Sequence, residues 1–326
     1  MKIRRRKFLH LAVGTVALPV ISRVASAQAY PARPITIIDP YPAGSPTDAA
    51  ARILAEPMRK SLAQPILIEN VGGADGNIGT GRASRARADG YTITIGTTST
   101  HVLNGAFYSL PYDVLNDFVP ISLLVTAPFI LCAKKTMAAK ELNELIVWLK
   151  ANPSKASAAI GASTIRLLAA FFQRETGTQF AFVPYRGGPP AAQDLMAGQI
   201  DFSFLTPDFL PLVRAGSIRA YAVTRDTRLA LAPDIPTFAE MGLPALSFST
   251  WIGFFAPKGT PREIVGKLNG AVVDALSDAT VRSRLADLGW EIFPREQRTP
   301  EALGAMVKAD AEKWWPIIKE LGIKPE

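Results

Sequence analysis

The sequence has little of the side-chain chemistry on which most enzymes depend. Its single cysteine, Cys132, stands in an apolar run typical of a buried residue and allows no internal disulfide. Of the two histidines, His10 lies in the N-terminal leader described below, so His101 is the only one in the rest of the chain. A zinc site would need mostly carboxylates, and a Ser-His-Asp triad could use only His101. No G-x-S-x-G, P-loop or dinucleotide-binding motif is present. These absences favour a binding protein without a cofactor over an enzyme.

The first 27 residues have the pattern of a cleavable export signal. Arg5 and Arg6 begin the sequence R-R-K-F-L, an apolar stretch follows at residues 11–21, and residues 25–27 read A-S-A. The paired arginines indicate the twin-arginine route, and the apolar stretch is shorter than the roughly 20 residues that span a bilayer. We therefore expect a periplasmic protein. A leader that stays attached as a membrane anchor is the alternative.

Removal of this leader leaves a nearly neutral protein. The whole chain has a formal charge of +8, and residues 1–27 carry six basic residues and no acidic one, so +2 remains. A nucleic-acid-binding protein needs a basic face that neutralises phosphates. We therefore expect no nucleic-acid partner.

Short apolar stretches alternate with helical patterns, which indicates an α/β fold. Strands are predicted at residues 35–38, 66–68 and 92–95, and again at 158–160, 182–183, 200–205 and 219–223. Helices are predicted at 49–62 and 165–174, with a further helix ending near Gly198. Long apolar segments at 118–134 and 247–257 are suited to cross between two lobes. We predict a first lobe of residues 28–126 and 247–326 and a second lobe of 127–246. Each lobe would contain a mostly parallel sheet flanked by helices, with the helical tail from Pro261 packed on the first.

Three loops of the first lobe follow predicted strands, where open α/β sheets bind ligands. In residues 40–48, Ser45 can cap a helix that Pro46 begins, and Asp48 can bond back to the amides of the loop. Such a helix start attracts anions, although an ordinary capped helix has the same sequence pattern. The glycine-rich loop 72–79 and the hydroxyl-rich loop 97–101 follow. The candidate ligand-binding residues of these three loops are Tyr41, Ala43, Gly44, Ser45, Asp48, Ala74, Asp75, Asn77, Thr98, Ser99 and His101.

The second lobe has three comparable loops. Residues 161–164 open a helix with Arg166 in its first turn, where a cation opposes the helix dipole unless an anion binds. Residues 185–190 form a second glycine-rich helix start, and 206–208 lie between a strand and a short helix. The candidates here are Ala162, Ser163, Thr164, Arg166, Tyr185 and Asp208. Two sets of such loops facing across a cleft are typical of a clamshell binding protein.

The chain resembles the periplasmic receptors of tripartite tricarboxylate transporters, the TctC or Bug family. The matching segments run in order through the chain and include Y-P-A-R-P-I-T-I-I, P-Y-P-A-G-S-P-T-D-A-A-A-R, L-P-Y-D-V-L-N-D-F-V-P-I, V-P-Y-R-G-G-P-P-A, D-L-M-A-G-Q-I-D, P-D-I-P-T-F-A-E-M-G-L-P and K-W-W-P-I-I-K. Each segment is weak alone, but the ordered set is specific.

The resemblance implies a ligand carboxylate held between two lobes by backbone groups of the first loop, and delivery of the ligand to a membrane permease. The family's contacts map onto Tyr41, Ala43, Gly44 and Ser45, and from the other lobe onto residues 162–164, with Tyr185 nearby.

This chain also departs from the family pattern at several positions. Ser45 replaces a glycine, Arg166 stands where a histidine is common, and Phe204 and Leu205 lie where polar residues are frequent. These departures favour an apolar or aromatic carboxylate over an amino acid.

Our leading hypothesis is therefore a monomeric periplasmic receptor for an organic mono- or dicarboxylate. A receptor that feeds a sensor kinase would have the same binding residues and remains an alternative. An exported hydrolase based on His101 and Ser163 is a third and weaker hypothesis.

Overall fold

The computed structural model describes residues 30–322, so the proposed signal peptide lies outside the described residues. The strands are β1 (Ile35–Asp39), β2 (Ile66–Asn70), β3 (Thr92–Thr97), β4 (Phe118–Pro128), β5 (Ile130–Lys134), β6 (Ser157–Ile160), β7 (Ala181–Pro184), β8 (Phe202–Leu205), β9 (Ile218–Val223), β10 (Ser249–Pro257) and β11 (Glu291–Ile292). The helices are α1 (Pro46–Leu62), α2 (Asn77–Ser84), α3 (Asn104–Phe107), α4 (Leu142–Ala151), α5 (Ser163–Thr176), α6 (Gly188–Ala197), α7 (Leu210–Arg214), α8 (Arg262–Ser277), α9 (Ala279–Asp287) and α10 (Pro300–Glu320). In this described part of the chain, no helix has both the length and the apolar character that crossing a membrane requires.

The strands form two mixed sheets, each with helices packed against it. The first sheet has the order β11-β4-β10-β3-β1-β2, and the second has the order β7-β6-β8-β5-β9. Strands joined through helices pair in parallel: β1 pairs with β2 and β3, and β6 pairs with β7 and β8. The strands at the crossings, β4, β5 and β10, pair antiparallel with their neighbours. We call each sheet with its helices a lobe. The predicted α/β fold is confirmed, and the antiparallel pairs come from the crossing segments.

The two proline residues in the first crossing segment have different effects. Pro128 ends β4, and β5 begins at Ile130 in the other sheet. Pro120 instead lies inside β4, beside a shift in register between β4 and β10. An irregular position of this kind tolerates a residue that cannot donate a ladder hydrogen bond. The apolar stretch therefore forms two strands, one in each lobe.

Thr224 holds the crossing segments together. Its hydroxyl accepts a hydrogen bond from Phe129 N at 2.9 Å and donates to Phe248 O at 2.5 Å. Its backbone also bonds to both residues, through Thr224 N to Phe129 O and Phe248 N to Thr224 O. Thr224 is fully buried. The segment that enters the second lobe, at Phe129, and the segment that leaves it, at Phe248, are thus both bonded to Thr224.

The C-terminal helix contacts both lobes. Trp251 in β10 donates from Nε1 to Asp310 Oδ2 at 2.7 Å, which fixes α10 to the first sheet. Trp314 of the same helix packs edge-on against Phe171 of α5, with ring centroids 6.3 Å apart, and against Phe248 at 5.3 Å. The tail therefore packs on the first lobe, as expected, and also adds apolar contact with the second.

Candidate functional site

Two adjoining cavities lie between the lobes. The smaller one, which we call the Phe204 cavity, has a volume of about 310 Å³, and the larger one, the Asp75 cavity, has about 1040 Å³. The same five residues line both: Tyr41, Pro42, Gly161, Ala162 and Arg186. The cavities are therefore two compartments of one cleft.

Two carboxylates, those of Asp39 and Asp48, hold the loop before α1 in place through hydrogen bonds. Asp39 Oδ1 accepts hydrogen bonds from Tyr41 N at 3.0 Å and from the Thr47 hydroxyl at 2.8 Å. Asp48 Oδ2 accepts from Gly44 N at 2.9 Å, as predicted for this residue. Ser45 caps α1 by accepting from Asp48 N at 3.3 Å, and the helix begins at Pro46, three residues before the apolar pattern predicted. The geometry of this helix start is therefore fixed before any ligand binds.

Asn70 links the two carboxylates. Its Nδ2 lies 3.0 Å from Asp48 Oδ1 and 3.3 Å from Asp39 Oδ2, and it also donates to Tyr41 O at 3.1 Å. Burial raises the pKa of Asp39 to about 7. Although burial alone would raise it, hydrogen bonds from Arg52, Gly44 and Asn70 leave the pKa of Asp48 below its usual value. Asp48 is thus the anionic brace of this loop at neutral pH.

The glycine-rich loop of the first lobe packs directly against the loop before α1. A Cβ atom at Gly79 would lie 2.5 Å from Val71 O and 2.8 Å from Pro40 Cα, so only glycine permits this approach. Asp75, in this loop, has the left-handed backbone conformation, with φ of 53°. Asn104 Nδ2 donates to Asp75 O at 2.9 Å and fixes that turn.

Asp75 reaches across the cleft to the second lobe. Its Oδ2 accepts from Ser163 N at 2.8 Å, and the Ser163 hydroxyl lies 2.5 Å from the same oxygen and 2.6 Å from Asn104 Oδ1. Asp75 Oδ1 is buried and has no hydrogen-bond partner among the described residues. Burial raises the pKa of Asp75 to about 7, while Ser163 and the charge of Arg166 act in the opposite direction.

The hydroxyl-rich loop after β3 forms a second bridge between the lobes. Ser99 Oγ accepts from Thr164 N at 3.2 Å and lies 3.2 Å from the Thr164 hydroxyl. Thr98 Oγ1 instead accepts from Trp251 N within the first lobe at 3.2 Å. Burial and the charge of Asp75 raise the pKa of Tyr41, while the Thr97 and Ser99 side chains act in the opposite direction.

His101 does not face either cavity. It is fully buried and stacks on Phe255 with ring centroids 3.9 Å apart, and its Nδ1 lies 3.0 Å from the Thr100 hydroxyl. Burial lowers its pKa to about 3, so the ring is neutral at physiological pH. The histidine that a hydrolase would need as a base is therefore packed into the core of the first lobe.

The second lobe gives the Phe204 cavity an apolar wall. The wall comprises Ile165, Pro189, Pro190, Phe204, Leu205 and Phe209, and Phe129 and Ile252 extend it at the crossing strands. The first lobe contributes Ser45, Thr47, Thr97 and Ser99, whose hydroxyls bond to other groups of the protein. The lining of this compartment is therefore mainly apolar.

The charged groups of the second lobe lie mainly at the Asp75 cavity. Arg166 and Arg186 line it, and the Arg166 guanidinium carbon lies 5.2 Å from the centre of the Phe107 ring. Tyr185 also lines it, with its hydroxyl 2.6 Å from Asp194 Oδ2.

Most of the residues predicted to bind ligand are brought together in the cleft. Those that line one or both cavities are Tyr41, Ala43, Ser45, Ala74, Asp75, Ser99, Ala162, Ser163, Thr164, Arg166 and Tyr185. Those that line neither cavity are Gly44, Asp48, Asn77, Thr98, His101 and Asp208. Gly44 and Asp48 support the first loop, and Asn77 Oδ1 accepts from Tyr112 at 3.0 Å within the first lobe.

Several residues of the site were not singled out from the sequence. Asp39 and Asn70 end β1 and β2 and are direct partners in the register of that pair. The sequence feature that could have identified them is a polar residue at the end of each of two consecutive predicted strands. Phe129, Thr250 and Ile252 line the Phe204 cavity from the crossing strands, which the sequence assigned only to connecting the lobes.

Comparison with known proteins places the chain in a family. Residues 50–323 match the family described as tripartite tricarboxylate transporter family receptor. The chain is 34% identical to Protein BugT of Bordetella pertussis over 322 residues, covering 97% of this chain and 96% of BugT.

Two solved structures show the same fold. MatC from Rhodopseudomonas palustris, with bound malate, is 35% identical with a TM-score of 0.85, covering 89% of this chain and 100% of MatC. An R. palustris protein with adipate is 31% identical with a TM-score of 0.86, covering 91% of this chain and 100% of that protein. The family is one of periplasmic solute-binding receptors and not of enzymes, so the hydrolase hypothesis is set aside. This chain belongs to the tripartite tricarboxylate transporter family receptors.

Proposed function

We propose that this protein captures a small organic carboxylate in the cleft between its lobes and delivers it to the membrane subunits of a tripartite tricarboxylate-type transporter. The observation that carries the proposal is the start of α1. Ala43 and Thr47 line the Phe204 cavity, and neither backbone amide has a hydrogen-bond partner among residues 30–322. Unpaired amides at a helix N-terminus attract anions.

The rest of the compartment fits a carboxylate with an apolar body. Apart from the start of α1, the lining of the Phe204 cavity is mainly apolar. The wall containing Phe204 and Phe209 would cover the carbon skeleton, and its burial would supply most of the hydrophobic contribution to binding. The related proteins with malate and adipate support the carboxylate class.

The export route and the lobe limits belong to the same proposal. We propose that residues 1–27 direct the chain to the periplasm by the twin-arginine pathway and are then removed. The first lobe would be residues 28–126 and 247–326, and the second 127–246, with the chain acting as a monomer. The change of sheet between Pro128 and Ile130 supports one boundary.

Thermal unfolding with paired ligands tests the proposed function. Benzoate, hexanoate, adipate and malate would each be compared with the corresponding amide, which keeps the carbon skeleton but lacks the charge. A carboxylate at one hundred times its dissociation constant should add about 2.7 kcal/mol to the free energy of unfolding. Stabilisation by the amides to the same extent, or by sugars alone, would contradict a carboxylate site.

A further inference from the structure

The N-terminus of α5 is already occupied by a carboxyl group of the protein itself. Asp75 of the first lobe accepts a hydrogen bond from Ser163 N, the first amide of the helix, at 2.8 Å. Ser99 of the same lobe accepts from the next amide, Thr164 N, at 3.2 Å. The two donors that would otherwise attract a ligand carboxylate at this end of the cleft therefore have acceptors.

The Asp75 carboxylate is held in place and has one oxygen to spare. Its backbone is fixed by Asn104, and Oδ2 is bonded to Ser163, so the side chain does not need a ligand to orient it. Oδ1 is buried, without a partner in the described part of the chain, and Asp75 lines the larger cavity. Because Oδ1 has almost no exposed surface, a ligand in this cavity would be affected by the charge of Asp75 and not by contact with Oδ1, and a second carboxylate there would be repelled.

Two cations share this cavity with Asp75. Arg166, in the first turn of α5, favours the ionised form of Asp75. The positive charge of Arg166 is therefore partly balanced by Asp75 before any ligand binds. Arg186 lies on an exposed loop, where solvent screens its charge. Neither gives a second carboxylate the fixed amide donors that the start of α1 offers to the first.

We propose that Asp75 takes the place of a ligand's second carboxylate, so that this receptor selects monocarboxylates with an apolar body over dicarboxylates of the same length. The single ligand carboxylate would bind at Ala43 and Thr47, with the body against Phe204 and Phe209. A second carboxylate would then have to lie either against that apolar wall or in the adjoining cavity beside the charge of Asp75. This inference rests on the proposed function.

Titration calorimetry at pH 8 with matched pairs of ligands tests the inference. The pairs are hexanoate with adipate and benzoate with benzene-1,4-dicarboxylate, which differ by one carboxylate. The wild type should bind the monocarboxylate of each pair at least about tenfold more tightly, because like charges in a partly desolvated site repel. Asp75→Gly, which suits the left-handed backbone and frees the Ser163 amide, should reduce that preference by about tenfold or reverse it.

Two further variants make the result specific. Asp75→Asn keeps the shape of the side chain without the charge and should give an intermediate preference. Asp274→Asn removes the same charge from the exposed face of α8 and should leave the preference unchanged. Circular dichroism would establish that each variant is folded before titration.

The possible outcomes separate the two proposals. If the wild type binds dicarboxylates as tightly as monocarboxylates, or Asp75→Gly and Asp75→Asn both keep the wild-type preference, the role of Asp75 is overturned and carboxylate binding stands. If no carboxylate binds at all, the proposed function fails and this inference fails with it.

Discussion

Helices α1 and α5 both begin at the cleft, and they differ in what satisfies their N-termini. The start of α1 is braced by Asp39, Asp48 and Asn70, all from its own lobe, and the amides of Ala43 and Thr47 have no partner in the described structure. The start of α5 has no side-chain cap of its own and is bonded by Asp75 and Ser99 from the opposite lobe.

The difference shows that one structural device can serve two purposes in one cleft. A helix N-terminus carries a partial positive charge whichever group it faces. Support from within the lobe leaves that charge available for the ligand that we propose, whereas support from across the cleft forms bonds between the lobes. The predictions below test each half of this comparison.

Asp48→Ala should have the largest effect on stability and on carboxylate affinity, because it removes the carboxylate that holds the start of α1. Gly44 N and Asn70 would lose their acceptor, so the loop would no longer be preorganised. We expect a loss of about 2 kcal/mol in the free energy of unfolding and a carboxylate affinity lower by at least about tenfold. Denaturant unfolding and calorimetry measure the two quantities.

A control on the same helix makes that result interpretable. Glu56→Ala removes an exposed carboxylate that pairs with Arg59 at 2.6 Å, away from the cleft. Its affinity should equal that of the wild type. An Asp48→Ala variant that binds as well as this control would show that the loop does not need its brace.

Asp75→Asn should have an intermediate effect on the free energy of unfolding, and the size of that effect depends on pH. Because the pKa of Asp75 is raised to about 7 from 3.8, the folded protein favours the protonated form. The stability that Asp75 contributes is thus fully present below pH 4 and is lost as pH rises through about 7. The wild type should lose stability relative to Asp75→Asn over this range by at least about 1 kcal/mol, since each pKa unit is worth about 1.4 kcal/mol.

Chemical denaturation of both proteins at several pH values measures this difference. Asp39 has a similarly raised pKa and is present in both, so its contribution cancels. A difference that stays constant from pH 4 to pH 8 would mean that Asp75 is ionised throughout and is not a strained carboxylate.

The smallest effect is expected from Ser99→Ala. The change removes one interlobe acceptor, that of Thr164 N, and should cost about 1 kcal/mol of stability. Ser277→Ala, which removes a hydroxyl bonded to Val273 O within α8, is the matched control. Carboxylate affinity should change little, and a loss as large as that of Asp48→Ala would mean that Ser99 contacts the ligand directly.

The sequence was informative wherever a function depends on neighbouring residues. Ser45, Pro46 and Asp48 lie within four positions, so their capping pattern could be recognised without a structure. Asp39 and Asn70 are 31 positions apart and meet only because β1 and β2 pair in one particular register.

Contacts between lobes were the hardest to foresee. Asp75 and Ser163 were both candidates, but a bond between residues 88 positions apart depends on how the two sheets face each other. The resemblance to the family implied that Ser163 contacts the ligand, and no local pattern indicates that its amide donates to Asp75 instead.

The bonds at Thr224 have a consequence for how the cleft can open. Phe129 and Phe248 are each tied to the same residue through both backbone and hydroxyl, at the level where the chain changes sheets. Sliding one sheet past the other would break all four bonds together, whereas a rotation about Thr224 keeps them. The geometry therefore favours a pivot at this threonine, with the largest displacement at the rim farthest from it.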